Sequence, residues 1–202
     1  NPFGPSPLVS KAISGATDLH LYPDHLQKQM RSALSLYTGV SSDNIIVGNG
    51  CDELIDLLIK LVIDPGDIVI EASPTFGMYS FTTKSHAGRV LSIDRTETFN
   101  LDIPGILSCP ERTKLIFLAS PNNPTGNLLP WQELQAILQL PILVVVDETY
   151  YEFSGITFTE HLDKYPNLVI LRSFSKWAGL AGLRAGYGIM HSSVVDRLII
   201  NK

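Results

Sequence analysis

The chain has 202 residues, 45% of them hydrophobic and 17% charged, which is enough apolar material for one large core and too much for a disordered segment. Its formal net charge is -5, and its 15 basic residues are scattered, so no basic patch is offered to a nucleic acid or an anionic membrane surface. The longest apolar runs are of strand length, and Cys51 and Cys109 form no CxxC pair, so a cytoplasmic protein with small-molecule partners is expected.

The opening NPFGPSP places three prolines in seven residues, and residues 1–25 are read as an arm ahead of a body of residues 26–202. Residues 25–36 carry Leu26, Met30, Ala33 and Leu34 at helical spacing and are predicted as the first helix. Short aliphatic runs then alternate with helical stretches. NIIVG (44–48), DIVIEA (67–72), RVLSI (89–93), KLIFLAS (114–120), ILVVVDE (142–148), NLVILRS (167–173) and RAGYGI (184–189) read as strands, with helices predicted over 51–63, 76–85, 130–138 and 192–200. Aliphatic runs with little polar alternation belong to strands covered on both faces, so the fold class is α/β with a doubly wound, mostly parallel sheet. The first residue is not Met and the last residues, DRLIINK, fall inside an apolar helical pattern without a cap, so both ends are expected to continue in a longer polypeptide.

Polar clusters follow four of the predicted strands: VGNGCDE, ASPNNPTG, VDETYYE and RSFSK. In a parallel sheet all four converge on one rim, where ligands collect. Gly50, Cys51 and Asp52 lie at a strand-to-helix turn whose free N–H groups and helix dipole suit a phosphate, although alone they read more readily as a capped helix start. Asp147 is a carboxylate at the end of a buried strand and needs a cationic or hydrogen-bonding partner. Lys176 stands between serines and a Gly/Ala-rich run, and immersion among small residues would lower its pKa and make it a nucleophile; snorkelling to the surface is the plainer alternative. Taken together these residues match the needs of pyridoxal phosphate: an amine for its aldehyde, a carboxylate for its ring nitrogen, donors for its phenolate, a stacking ring and a phosphate cup. The histidines at 20, 25, 86, 161 and 191 are scattered and are assigned no role, and no metal site is expected.

SPNNPTG, VVVDETYYEF and SFSKWAGLAGLRAGYG, in this order, resemble the fold-type I pyridoxal-phosphate aminotransferases. NPFGPSP, LYPD, GNGCDEL and SPTFGMY look like markers of the histidinol-phosphate aminotransferase branch. The resemblance implies that Lys176 is the Schiff-base lysine and the acid-base group at the substrate α-carbon, and that Asp147 pairs with the pyridinium nitrogen. Asn123 and Tyr150 would hydrogen-bond the phenolate oxygen. Phe76 would stack on the ring, in place of the tyrosine of other members. The phosphate cup would comprise Gly50, Cys51 and Asp52 through their backbone, with Ser173, Ser175 and Arg184. Tyr22 resembles the tyrosine that reaches the phosphate of a neighbouring subunit, which implies a homodimer with shared sites, residues 1–25 serving as a small-domain segment and dimer contact.

The implied reaction is transamination of histidinol phosphate with 2-oxoglutarate, yielding glutamate, in histidine biosynthesis. An aromatic amino acid aminotransferase or a threonine-phosphate decarboxylase would look alike over this region, and a non-catalytic cofactor-sensing regulator is an alternative of another class. The family's substrate-binding arginine lies in a C-terminal small domain beyond residue 202. Residues 1–202 alone are therefore expected to bind the cofactor as an incomplete large domain and to transaminate poorly.

Overall fold

The computed structural model describes residues 1–201, and among them seven strands form one sheet. These are Ile45–Gly48 (β1), Ile68–Ser73 (β2), Arg89–Asp94 (β3), Thr113–Ala119 (β4), Leu143–Asp147 (β5), Leu168–Ser173 (β6) and Gly186–Met190 (β7), in the order β1-β7-β6-β5-β4-β2-β3. Strands β6, β5, β4, β2 and β3 pair in parallel, and β7 alone runs antiparallel to both its neighbours. It follows that β1 points the same way as β6. The carboxyl ends of β1, β4, β5 and β6 therefore share one rim, joined there by the amino end of β7.

Helices Cys51–Val62 (α3), Met78–Ser85 (α4) and Ser192–Asn201 (α8) cover one face, while Lys28–Thr38 (α2), Ile103–Leu107 (α5) and Trp131–Ile137 (α6) cover the other. Alternate side chains of each central strand enter opposite cores. Leu115 and Phe117 of β4 pack with α3, for example, and Ile116 and Leu118 pack with α6. This two-sided burial is the physical reason the strands read as unbroken aliphatic runs. Helix α3 follows the same rule, burying Leu54, Ile55, Leu58 and Ile59 on one stripe.

Element boundaries shift where side chains intervene. The first body helix begins at Lys28 rather than at 25, because the Asp24 carboxylate accepts the N–H groups of Leu26 at 3.0 Å and Lys28 at 3.1 Å and forms a separate turn first. Strand β7 begins at Gly186 rather than at 184, because Arg184 adopts a left-handed backbone (φ 51°) after the 3-10 turn Ala181–Leu183. The short helices Pro7–Ser14 (α1), α5 and Tyr151–Ser154 (α7) were not legible as periodic patterns. Helix α1 starts because Ser6 accepts the Leu8 N–H at 3.3 Å and Pro7 suits the first turn, yet it buries no residue. The segment ahead of it reaches the body at the lysine loop, where Asn1 Nδ2 donates to the carbonyls of Lys176 at 3.2 Å and Trp177 at 3.4 Å.

Candidate active site

The shared rim opens into a cleft. Every site residue singled out in the sequence lines it except Gly50 and Tyr22. Antiparallel β7 explains how Arg184 joins residues that follow parallel strands, since a strand of opposite direction begins where its neighbours end.

One group of these residues gathers at the start of α3. Gly50 has φ 83°, and a Cβ there would sit 2.7 Å from Nη2 of Arg184, so only glycine lets the guanidinium lie over this turn. That guanidinium donates to Asp52 Oδ2 at 2.7 Å and to the Ala181 carbonyl at 3.2 Å. Gly186 likewise admits the backbone of 50–51, because a Cβ there would lie 2.8 Å from the Cys51 nitrogen. Ser173 Oγ accepts the Ser175 N–H at 3.0 Å, folding the serine pair onto the same side. Burial pushes the Cys51 thiol well up, and it donates to the Arg172 carbonyl at 3.1 Å. A neutral, already bonded thiol leaves only the Cys51 main chain for a ligand.

A second group surrounds Asp147, which is 6% exposed. Its Oδ1 accepts the Thr149 N–H at 2.9 Å and its Oδ2 accepts the Tyr79 hydroxyl at 2.7 Å. Tyr79 stacks on Phe117 with centroids 4.6 Å apart and meets Phe76 edge-on at 5.6 Å. Burial, and then the negative charge of Asp147, push its phenol well above the ordinary value, so it stays neutral and remains the donor.

The two consecutive asparagines divide their work. Asn122 is buried, accepting from Thr75 Oγ1 at 2.9 Å and donating to the Pro74 carbonyl at 3.0 Å and Thr125 Oγ1 at 2.8 Å, which leaves Asn123 to face the cleft. Tyr150 lines the cleft from the residue just before α7.

Beneath the rim, Glu148 and Arg172 form a fully buried pair, with Nη2 at 2.9 Å and Nε at 3.0 Å from Oε2. Thr157 Oγ1 and the Phe158 N–H also donate to Glu148, at 2.9 and 2.9 Å. The pair ties the residue after Asp147 to the residue before Ser173, so the two halves of the site share one anchor. Sequence reasoning saw only polar clusters there, because nothing in VDETYYE or RSFSK shows which charges turn inward.

Lys176 differs from its expected setting. It lines the cleft but is exposed, and residues 178–184 form a half-buried to exposed loop instead of a tight packing of small residues around the amine. The reason is local: after β6 the chain turns over the rim, outside both cores, before entering β7. Trp177 stacks on Tyr37 with centroids 6.1 Å apart. Tyr22 is 100% exposed and stands away from this chain's own cleft.

Tyr79, Thr149, Ala119, Pro121 and Ala181 line the cleft without having been singled out. Tyr79 had a signal, since it lies three residues after Phe76 on a predicted helix and i, i+3 side chains share a face. Among the described residues, no cluster of His, Cys, Asp and Glu is arranged to hold a metal ion, and no helix is long and apolar enough to cross a membrane.

The family model for aminotransferase class I and II matches residues 2–202. The chain belongs to this family. Among its aminotransferase relatives, the histidinol-phosphate aminotransferase of Dehalococcoides mccartyi is 48% identical over 98% of this chain and 56% of the relative. The chloroplastic histidinol-phosphate aminotransferase 1 of Arabidopsis thaliana is 44% identical over 98% of this chain and 48% of its own. The structure of histidinol-phosphate aminotransferase from Sinorhizobium meliloti in complex with pyridoxal-5'-phosphate superposes with a TM-score of 0.88 at 32% identity, covering 96% of this chain and 55% of that one. The chain thus spans about half the length of the relatives it matches.

Proposed function

We propose that the cleft holds pyridoxal phosphate and that the protein transaminates histidinol phosphate, with 2-oxoglutarate accepting the amino group, as a step of histidine biosynthesis. The observation that carries this reading is that Lys176, Asp147, Phe76, Asn123, Tyr150 and Arg184 all line one cleft. The donor set fits the cofactor. The start of α3 with Ser173, Ser175 and Arg184 offers N–H, hydroxyl and guanidinium donors to a phosphate, and buried Asp147 offers a carboxylate to a ring nitrogen. Bound there, pyridoxal phosphate supplies an aldehyde that exchanges amines and a protonated ring that draws electrons from the substrate α-carbon. Lys176, at the open side, would attach the cofactor and later carry the proton at that carbon. Asp147 would keep the ring nitrogen protonated, Asn123 and Tyr150 would bond the phenolate oxygen, and Phe76 would stack on the ring.

Relatives named histidinol-phosphate aminotransferase at 48% and 44% identity support the substrate choice. In this reading residues 1–25 form a dimer-contact arm and residues 26–202 the cofactor domain. Exposed Phe3, Leu8, Leu19 and Tyr22 support a homodimer, with Tyr22 free to reach the neighbouring copy's phosphate. Free Cys51 and Cys109 fit a reducing cytoplasm. Borohydride reduction of the cofactor-loaded protein, followed by peptide mass mapping, should place the label on Lys176; a label on another lysine overturns the assignment. Half-reactions run side by side should be fastest with histidinol phosphate, and a faster reaction with phenylalanine or threonine phosphate replaces the substrate. Retained cofactor that reacts with no amino donor would instead indicate a sensor.

A further inference from the structure

We propose that Tyr79 is a positioning residue for the cofactor ring: its hydroxyl orients Asp147, while its ring braces Phe76. One side chain thereby sets both groups intended for the ring. The inference rests on the cofactor reading above and concerns a residue to which the sequence analysis gave no role.

Tyr79 is 0% exposed, in the first turn of α4, between the two cleft residues it touches. A buried hydroxyl is costly unless bonded, and a side chain needed only for packing could be phenylalanine. Here the hydroxyl bonds Asp147 at 2.7 Å. The carboxylate has room for this, because each oxygen has two acceptor sites and the Thr149 N–H uses one on Oδ1. A proton-bearing ring nitrogen can still be accepted. With one donor on each oxygen the carboxylate is fixed in one orientation toward the cleft. The other charged or titratable groups facing Tyr79 are engaged elsewhere. Cys51 bonds the Arg172 carbonyl, Glu71 accepts from Ser92 at 3.2 Å, and Arg95 bonds the carbonyls of Ala72 at 3.2 Å and Phe99 at 3.0 Å.

The test compares the cofactor-loaded protein with Tyr79→Phe, which keeps both ring contacts and removes only the hydroxyl. Cofactor affinity should fall about tenfold, equivalent to about 1.4 kcal/mol. The absorption band of the bound cofactor should shift, because the carboxylate meeting its ring nitrogen is no longer held in place. In an Asp147→Asn background the same substitution should change affinity little, the signature of action through Asp147. Unaltered affinity and absorption band in Tyr79→Phe, or an equal loss in the Asp147→Asn background, would overturn the proposal. If Tyr79→Phe proves unfolded, 3-fluorotyrosine at position 79 replaces it: the more acidic phenol should tighten binding, and unchanged binding counts against the idea. A wild-type protein that binds no cofactor overturns the cofactor reading and this inference with it, whereas an inert hydroxyl in a cofactor-bound protein overturns this inference alone.

Discussion

At the amino ends of the parallel strands, Asp67 before β2 accepts from Arg112 before β4 at 3.1 and 2.9 Å, and Asn167 before β6 donates to the carbonyls of Leu138, Leu140 and Ile142 at 3.2, 3.3 and 3.0 Å. At the carboxyl ends, Asp147, Asn123, Tyr150, Ser175 and Lys176 line a cleft instead. Both rims use charged and amide side chains next to aliphatic strands. They differ in where the polar atoms point. At the amino rim they close on neighbouring loops and seal the sheet; at the carboxyl rim they border a cleft beside the start of α3. Polar residues at strand ends are therefore not in themselves a site, and the open cleft at one rim separates the two cases.

Three substitutions break this contrast in order of expected effect. Lys176→Ala should lower the transamination rate at least about a thousandfold, the scale of a lost acid-base group, while the cofactor-free unfolding midpoint stays near wild type because the residue is exposed. Steady-state kinetics with parallel thermal unfolding measures both. Asn167→Ala should do the reverse, costing about 1–3 kcal/mol of stability in urea melts and leaving cofactor affinity unchanged. Asp67 sharpens the comparison with pH. The Asp64 N–H, and then Arg112, hold its carboxyl below the ordinary value, so its contribution is present above that value and is lost as pH falls through the lowered one. Asp67→Asn should slightly flatten the loss of thermal stability between about pH 5 and pH 2, again with unaltered cofactor affinity at neutral pH.

Much of the carboxyl rim could be read before folding, because strand-end residues in a parallel sheet have one place to go. Asp147, Ser173 and Asn123 follow or end strands, and their convergence needs only strand direction. Arg184 was carried by family resemblance; its physical route to the cleft is the antiparallel β7, which no local pattern announces. The Glu148–Arg172 anchor and the Tyr79–Asp147 bond join residues 24 and 68 positions apart, so neither could be paired by spacing. The exposed setting of Lys176 was misjudged because small residues were equated with close packing, whereas here they form an uncovered loop.

Aliphatic runs of strand length alternating with helical segments settled the layered architecture, since such strands need cover on both faces. They also settled which segments end in polar residues. Which of those residues satisfy one another and which are left facing a cleft was decided by tertiary structure, because hydrogen bonding acts over a few ångströms in space and is blind to separation along the chain.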